Sequence, residues 1–160
     1  MIQITYKPIG TIYSEHQEAK KTPIQPIYAE QCKGRVEVLS EFAEGLSDLD
    51  AFSHIYLIYH LDRAGEPALK VKPFLQDVER GIFSTRFPRR PNAIGMSIVR
   101  LVSVDGTVLE VEGIDVLDGT PLLDIKPYNT RFDHIATDRD GWYAEVTEDD
   151  AQVRGKRDYQ

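Results

Sequence analysis

Residues 101–111 read LVSVDGTVLEV, and this stretch decides the fold. Two apolar segments, 101–104 and 108–111, flank the pair Asp105-Gly106. Glycine readily adopts the positive φ that a two-residue hairpin turn requires, so the stretch predicts an antiparallel hairpin. Similar short segments recur along the chain. The predicted strands are Ile9–Tyr13, Gly34–Leu39, Ser53–Leu61, Gly81–Thr85, Ile94–Val104, Val108–Val111 and Leu122–Ile125.

Many short strands joined by turns, with few helices, indicate an all-β fold. Because closure removes exposed sheet edges, we expect a closed or nearly closed antiparallel β-barrel with short helical segments. Val36 and Val38 alternate with polar residues, as in a sheet that exposes one face to solvent. Residues 52–62 are apolar almost throughout and predict a strand buried on both faces. Ser40–Leu46 predicts a short helical turn.

The length of 160 residues suits one domain with a substantial core. We assign residues 1–145 to the barrel domain and residues 146–160 to a polar, frayed C-terminal tail. The start lacks a signal peptide, and no run approaches the roughly 20 apolar residues that span a bilayer, so we expect a cytoplasmic protein without a membrane partner. Cys32 is the only cysteine, which excludes an intrachain disulfide, and the spacing of the four histidines predicts no metal site.

The charge of the chain is unevenly distributed. The formal net charge is -7, yet residues 1–100 carry 13 Lys/Arg and 12 Asp/Glu, whereas residues 101–160 carry 6 and 14. Residues 81–100 contain four arginines and no acid. Arg86, Arg89 and Arg90 lie on a connection stiffened by prolines, and the planar guanidinium matches phosphate or carboxylate. From charge alone, an anion site and a set of surface ion pairs with the acidic C-terminal third are equally good interpretations.

Four blocks of sequence carry a resemblance to a known family. They are IGTI (9–12) with PIQP (23–26), FSHI (52–55), Thr85-Arg86 with RPNAIGMS (90–97), and DGTPLLDIKPY (118–128). In this order they resemble the TrmO family, also called TsaA-like, whose members are S-adenosylmethionine-dependent methyltransferases of tRNA. The blocks span most of the chain.

The resemblance implies a β-barrel, a tRNA partner and a homodimer with cofactor sites at or near the subunit interface. It also implies methyl transfer from S-adenosylmethionine to the exocyclic nitrogen of threonylcarbamoyladenosine beside the anticodon. The implied cofactor-binding residues are Pro26, Ile27, Tyr28, Leu61, Asp62, Arg86, Met96, Glu112, Gly113, Ile114 and Asp115. The implied RNA-binding residues are Arg89, Arg90 and Lys126.

The acceptor nitrogen is amide-like and a poor nucleophile, so we expect a carboxylate to help remove its proton. Asp124 and Asp115 are both candidates, and Lys126 or Arg86 would bind the threonyl carboxylate. Asp124, Lys126 and Tyr128 recur at two-residue spacing, which points all three the same way along a strand, and together with Asp115 they are the candidate catalytic residues. No Gly-x-Gly-x-x-Gly follows a strand, so a Rossmann methyltransferase is not expected.

Two alternatives stay open at this point. The first is a non-catalytic barrel that binds an adenine-containing ligand or RNA through the same arginine loop. The second is a methyltransferase of the same family with a different acceptor. The motifs implied for binding the methyl donor do not specify which molecule is methylated.

Overall fold

The computed structural model describes residues 1–157, and six of its strands form a closed antiparallel barrel. Eight strands occur among residues 1–157: β1 (Gly10–Ser14), β2 (Lys33–Val38), β3 (His54–His60), β4 (Lys70–Val71), β5 (Arg80–Gly81), β6 (Ile94–Asp105), β7 (Val108–Glu112) and β8 (Thr120–Pro127). Around the barrel the order is β1-β2-β7-β6-β3-β8, and β8 pairs back with β1. The predicted closed barrel is therefore confirmed.

Helices are short, as predicted. The α-helices are α1 (Thr130–Asp133) and α2 (Glu148–Lys156). Single 3₁₀ segments cover Ala19–Lys21, Pro26–Tyr28, Ser40–Leu46, Leu49–Ala51, Ile82–Ser84 and Gly141–Glu145. No helix among residues 1–157 has the length and apolar character needed to cross a membrane.

The hairpin predicted at Asp105-Gly106 joins β6 to β7, and Gly106 has φ 60° as such a turn requires. In β2, Val36 and Val38 face the core, which confirms the alternation seen in the sequence. The core fills the barrel interior. Its fully buried side chains include Ile12, Val36, Ile55, Leu57, Val99, Leu109, Val111, Ile114 and Leu122.

Two strand predictions were wrong. The expected strand Gly81–Thr85 is mostly a 3₁₀ turn, because Ile82 turns into the interior and the Thr85 hydroxyl donates to the Ile82 carbonyl at 2.8 Å. β3 is not buried on both faces. Ile55, Leu57 and Tyr59 face the core, while the alternate residues point outwards.

The prediction of a frayed tail was also wrong for the described part of residues 146–160. α2 begins at an N-cap in which the Thr147 hydroxyl accepts from the Asp150 N–H at 3.1 Å, and acids fill its first turn. Ala151 packs with Trp142 and Leu75 in a second small core. Residues 158–160 lie outside the described residues.

The close approach of β3 and β6 requires a glycine at position 95. Gly95 pairs with Tyr59, and a Cβ at Gly95 would overlap the Tyr59 ring. The ring is buried against its neighbour strand and cannot swing away without opening the core.

We expect Gly95→Ala to lower the free energy of unfolding by about 1–3 kcal/mol, the usual cost of overpacking a core. Urea unfolding measures the change. The control is Gly81→Ala, since a Cβ there meets open space and Gly81 has φ −63°. An unfolding free energy for Gly95→Ala within error of the control would contradict this view of the Tyr59 packing.

Candidate active site

A cavity of about 320 Å³ opens at one end of the barrel, where β3, β6 and the loop after β7 meet. Its lining includes two carboxylates, Asp62 and Asp115, and the guanidinium groups of Arg63, Arg86 and Arg90. Leu61, Ile94 and Met96 supply apolar surface. We call this the first cavity. It combines charged groups of both signs with an apolar wall, as sites for small polar ligands commonly do.

Asp115 is the carboxylate whose properties depart most from the ordinary. Burial raises its pKa to about 7, while the Ser97 hydroxyl, the backbone and the nearby Arg86 guanidinium act to lower it. The Ser97 Oγ donates to Asp115 Oδ1 at 2.5 Å. Asp115 therefore changes protonation near neutral pH, as a general base requires.

Ser97 is held in turn by Tyr59. The two hydroxyl oxygens lie 2.8 Å apart inside the barrel, and because Ser97 donates to Asp115, Tyr59 donates to Ser97. Sequence reasoning missed both residues as parts of the site. Ser97 is the last residue of the block RPNAIGMS, so this motif could have identified it. No neighbouring sequence feature identifies Tyr59 as a site residue.

Arg63 was also missed. Its Nη2 donates to the Asp118 carbonyl at 2.9 Å and lies 3.1 Å from the Thr120 hydroxyl, while its Nε lies 3.3 Å from Asp62 Oδ1. Arg63 thereby joins the segment after β3 to the start of β8. This bridge positions Asp62, one of the predicted cofactor residues, at the cavity wall.

The three arginines of the predicted anion loop make no ion pair among residues 1–157. Arg86 donates to the Gln25 side-chain oxygen at 2.7 Å, and Arg89 donates to the Glu66 carbonyl at 2.6 Å. Arg90 donates to the carbonyls of Thr85 and Phe87. The interpretation as surface ion pairs with the acidic C-terminal third is therefore wrong for these residues, and the anion interpretation remains.

A second cavity of about 540 Å³ adjoins the first, and Arg86 and Met96 line both. The predicted cofactor residues Pro26, Ile27 and Tyr28 form part of its wall. The structure thus brings Arg86, Met96 and the loop at residues 26–28 together, with Leu61, Asp62 and Asp115 in the first cavity.

The remaining predicted cofactor residues lie behind Asp115. Gly113 has φ 86°, and Ile114 is fully buried with both its backbone N–H and its carbonyl hydrogen-bonded inside the protein. Glu112 ends β7. These residues shape the turn that presents Asp115, and direct contacts from them to a cofactor stay a prediction.

Asp124, Lys126 and Tyr128 lie on the outer surface of the barrel, outside the lining of both cavities. Lys126 Nζ is 3.0 Å from Asp124 Oδ2, so the two side chains share a face as predicted. Tyr128 packs edge-on against His54, with the two ring centroids 6.4 Å apart. Their catalytic and RNA-binding roles stay predictions.

One further group of donor atoms comes together near the site. Glu15, His16 and Cys32 each place a donor atom within 4.8 Å of the others. Histidine spacing did not predict this group, because Cys32 reaches it only through the pairing of β1 with β2. His16 Nε2 lies 2.8 Å from the Ile114 carbonyl, so this ring nitrogen already serves the fold behind the Asp115 turn.

A family model of the tRNA-methyltransferase O N-terminal domain matches residues 11–134. The chain belongs to this family. A probable S-adenosyl-L-methionine-binding protein of Pyrococcus abyssi is 50% identical over 141 residues, covering 88% of this chain and 77% of that protein. The Homo sapiens tRNA (adenine(37)-N6)-methyltransferase is 36% identical over 134 residues, covering 79% of this chain and 30% of that protein.

A solved member of the TrmO family has the same fold. The crystal structure of TrmO from Pseudomonas aeruginosa matches with a TM-score of 0.73 at 37% identity, covering 88% of this chain and 62% of that chain. This chain therefore spans less than two thirds of that solved protein. The homodimer and the cytoplasmic location implied by the sequence stay predictions.

The raised pKa of Asp115 makes stability depend on pH. Between about pH 4 and pH 7 the folded protein holds a proton on Asp115 that the unfolded chain has released, so stability is lost as the pH rises through this range. We expect Asp115→Asn to raise the melting temperature on the order of 5 °C at pH 8 and much less at pH 4. Scanning calorimetry at both pH values measures this.

The control is Asp124→Asn, whose carboxylate lies half-exposed beside Lys126. Its effect on the melting temperature should be small at both pH values. An equal gain for Asp115→Asn at pH 4 and pH 8 would mean that the carboxylate is ionised in the folded protein throughout this range.

Proposed function

We propose that the protein is an S-adenosylmethionine-dependent tRNA methyltransferase that acts on the exocyclic nitrogen of threonylcarbamoyladenosine beside the anticodon. The observation that carries the proposal is Asp115. A carboxylate that titrates near pH 7 lies in a cavity also lined by Arg86 and Arg90, which form no ion pair among residues 1–157, in a chain of the TrmO family.

The first cavity fits the methyl donor. A sulfonium is cationic, and Asp62 and Asp115 line this cavity, while Leu61 and Met96 offer apolar surface. When bound there, S-adenosylmethionine supplies a methyl group whose bond to sulfur breaks as a bond to the acceptor nitrogen forms. Arg86 lies in the wall of this cavity, where its guanidinium can bind the carboxylate of the methyl donor.

Asp115 accepts the proton of the acceptor nitrogen. Its pKa of about 7 leaves a substantial fraction ionised at neutral pH, and its proton affinity exceeds that of an ordinary aspartate. Ser97 and Tyr59 hold the carboxylate in one orientation. Asp124, the other candidate, is paired with Lys126 on the outer surface, so the structure favours Asp115.

The arginine loop supports binding of tRNA. Arg89 is exposed, and its side chain makes its hydrogen bond through Nε to a neutral carbonyl, so its charge is free to attract phosphate. Arg90 hydrogen-bonds the loop itself and so contributes rigidity as well as charge. Lys126 would have to break its ion pair with Asp124 before it could bind a phosphate.

The decisive experiment is nucleoside mass spectrometry of threonylcarbamoylated tRNA incubated with the protein and isotope-labelled donor. We expect a methylated threonylcarbamoyladenosine. In single turnover, Asp115→Asn should slow methylation by at least about a hundredfold, as loss of a general base does. The wild-type rate should rise with pH to a plateau, with the midpoint of the rise at or below about pH 7, because the positive charge of a bound sulfonium lowers the pKa of a neighbouring carboxylate.

Asp124→Asn is the matched variant, since it removes the other candidate base by the same chemical change. It should methylate at close to the wild-type rate. If Asp124→Asn methylated slowly while Asp115→Asn methylated at the wild-type rate, the general base would be Asp124 on the outer surface. If labelled methyl appeared only on another nucleoside, the acceptor assignment would be wrong and the donor assignment would stand.

The two roles of the arginine loop can be separated. Arg86→Ala should weaken binding of S-adenosylhomocysteine by about tenfold, as expected for a lost charge-assisted hydrogen bond. Arg89→Ala should leave that affinity unchanged and lower the slope of log affinity for tRNA against log salt by about 0.7–0.9. Calorimetry and filter binding measure the two quantities. The reverse pattern would mean that Arg86 binds the acceptor and Arg89 the donor.

A further inference from the structure

Three metal-ligating side chains outside both cavities converge beyond the end of the β1–β2 pair. Glu15, His16 and Cys32 place a carboxylate oxygen, a ring nitrogen and a sulfur within 4.8 Å of one another. Among residues 1–157, no other three histidine, cysteine or acidic side chains come together in this way. These three residues line neither cavity, so the methyl donor and the RNA do not account for them.

The register of the barrel brings the donors together from two segments of the chain. Ser14 pairs with Gly34 in the last pair of the β1–β2 ladder. The same register, continued by two residues, sets His16 opposite Cys32. The position of both residues therefore follows from the strand pairing that closes the barrel.

The backbone that carries the donors is held in place on both sides. The His16 carbonyl accepts from the Asp118 N–H at 2.8 Å, and the Cys32 carbonyl accepts from the Gly113 N–H at 2.8 Å. Both bonds connect the donor residues to the loop at 113–118, which includes Asp115. A site whose backbone is fixed before a ligand arrives has a smaller ordering cost on binding.

The His16 ring is oriented as metal-binding histidines commonly are. Its Nε2 lies 2.8 Å from the Ile114 carbonyl, and because a carbonyl only accepts, Nε2 carries the proton. In the neutral ring, Nδ1 then has the lone pair that a metal ligand needs. Ligating histidines usually donate their other ring N–H to a carbonyl or a carboxylate, which fixes the tautomer and the ring orientation. The side chain is buried, so packing also holds it.

The Cys32 thiol lies in a negative environment. Burial raises the pKa of this thiol, and the hydrogen bond and charge of Glu15 and the charge of Asp115 raise it further. Without a cation the sulfur therefore keeps its proton. A divalent cation replaces this proton: the S–H bond breaks, its electron pair forms the bond from sulfur to the metal, and the proton leaves to solvent.

The donor set selects the class of metal. A thiolate, an imidazole and a carboxylate together suit Zn²⁺, whereas Mg²⁺ and Ca²⁺ prefer oxygen ligands alone. Bonds to zinc of about 2.0–2.3 Å place tetrahedral ligands about 3.3–3.8 Å apart. Donors within 4.8 Å of one another reach this spacing by small rotations of the side chains. Glu15 is exposed, which leaves room for water as a fourth ligand.

We propose that Glu15, His16 and Cys32 bind one Zn²⁺ ion, with water as the fourth ligand. The ion fastens the ends of β1 and β2 to the turn that carries Asp115, because its ligand His16 also donates to the Ile114 carbonyl. The site is separate from the methyl-transfer machinery and does not depend on the proposed function.

The experiment is a titration of the untagged full chain with zinc chloride, after removal of metal by a chelator. Calorimetry and elemental analysis after dialysis should both give one zinc per chain. Zinc at a hundred times its dissociation constant should raise the melting temperature on the order of 5 °C. Zinc should also slow amide hydrogen exchange at Gly113 and Ile114, whose N–H groups donate to the Cys32 carbonyl.

Three variants remove one ligand each with little change of shape. Cys32→Ser and His16→Gln should each lower the affinity for zinc by at least about a hundredfold, the upper end of the losses found when an outer-shell partner of a metal ligand is removed. Glu15→Gln should lower it by at least about tenfold. Cobalt(II) bound to the wild type should show thiolate-to-metal charge-transfer absorption, and Cys32→Ser should lack it.

The matched controls are Glu18→Gln and His134→Gln, which make the same chemical changes at exposed side chains outside the group. Both should bind zinc like the wild type. Circular dichroism with thermal melting in the absence of zinc checks that each variant is folded.

Four results would overturn the inference. They are a zinc content near zero after dialysis, a zinc affinity of Cys32→Ser equal to that of the wild type, an equal loss of affinity in the two controls, or wild-type cobalt spectra without thiolate absorption. None of these measurements uses RNA or the methyl donor. A protein that binds zinc through Cys32 and fails to methylate tRNA would therefore keep the metal site and lose only the proposed function.

Discussion

The hydrogen-bonded chain from Tyr59 through Ser97 to Asp115 is the interaction on which the site depends. A carboxylate withdrawn from water needs a donor; the Ser97 hydroxyl donates to Asp115, and the Tyr59 hydroxyl holds Ser97 in place inside the barrel. Tyr59 and Ser97 lie on neighbouring antiparallel strands, and a slip of one residue in either strand would turn its hydroxyl outwards. The register of β3 with β6, together with the glycine at position 95 that admits the Tyr59 ring, therefore places the hydroxyl donor that opposes the effect of burial on the pKa of Asp115.

Charge is arranged so that the acidity of the chain does not neutralise the arginine loop. Two acids of the C-terminal third are paired with cations outside the arginine loop, Glu145 with Arg80 and Asp124 with Lys126. The arginines of the loop use carbonyl and amide oxygens as partners, and these fix the side chains without cancelling their charge. A protein with a net charge of -7 can thereby keep a local positive surface for phosphate.

Local signals account for what the sequence could predict. The turn at Asp105-Gly106 and the alternation around Val36 depend on neighbours in the chain, so the barrel and most of its strands followed from them. The turn at Ile82–Ser84 did not, because the burial of Ile82 is decided by tertiary packing. Asp115 and Arg86 were found through motifs, while Tyr59 and Trp142 carry no local mark. Tyr59 acts through a cross-strand contact, and Trp142 acts through a segment that looked merely polar.

The segment after residue 140 fixes the position of residues 22–28, the loop that forms one wall of the site. Residues 22–28 lie outside the barrel sheet, and their backbone is fastened instead by the Ile24 N–H, which donates to the Gly155 carbonyl at 2.9 Å. Tyr28 packs with Trp142 and Ala151 in the second core. This small core and the bond to Gly155 join α2 to the loop, so a shift of one disturbs the packing of the other. A ligand that fixes the loop must therefore also stabilise α2, and by reciprocity a change in α2 alters affinity at a cavity whose other walls belong to the shared domain.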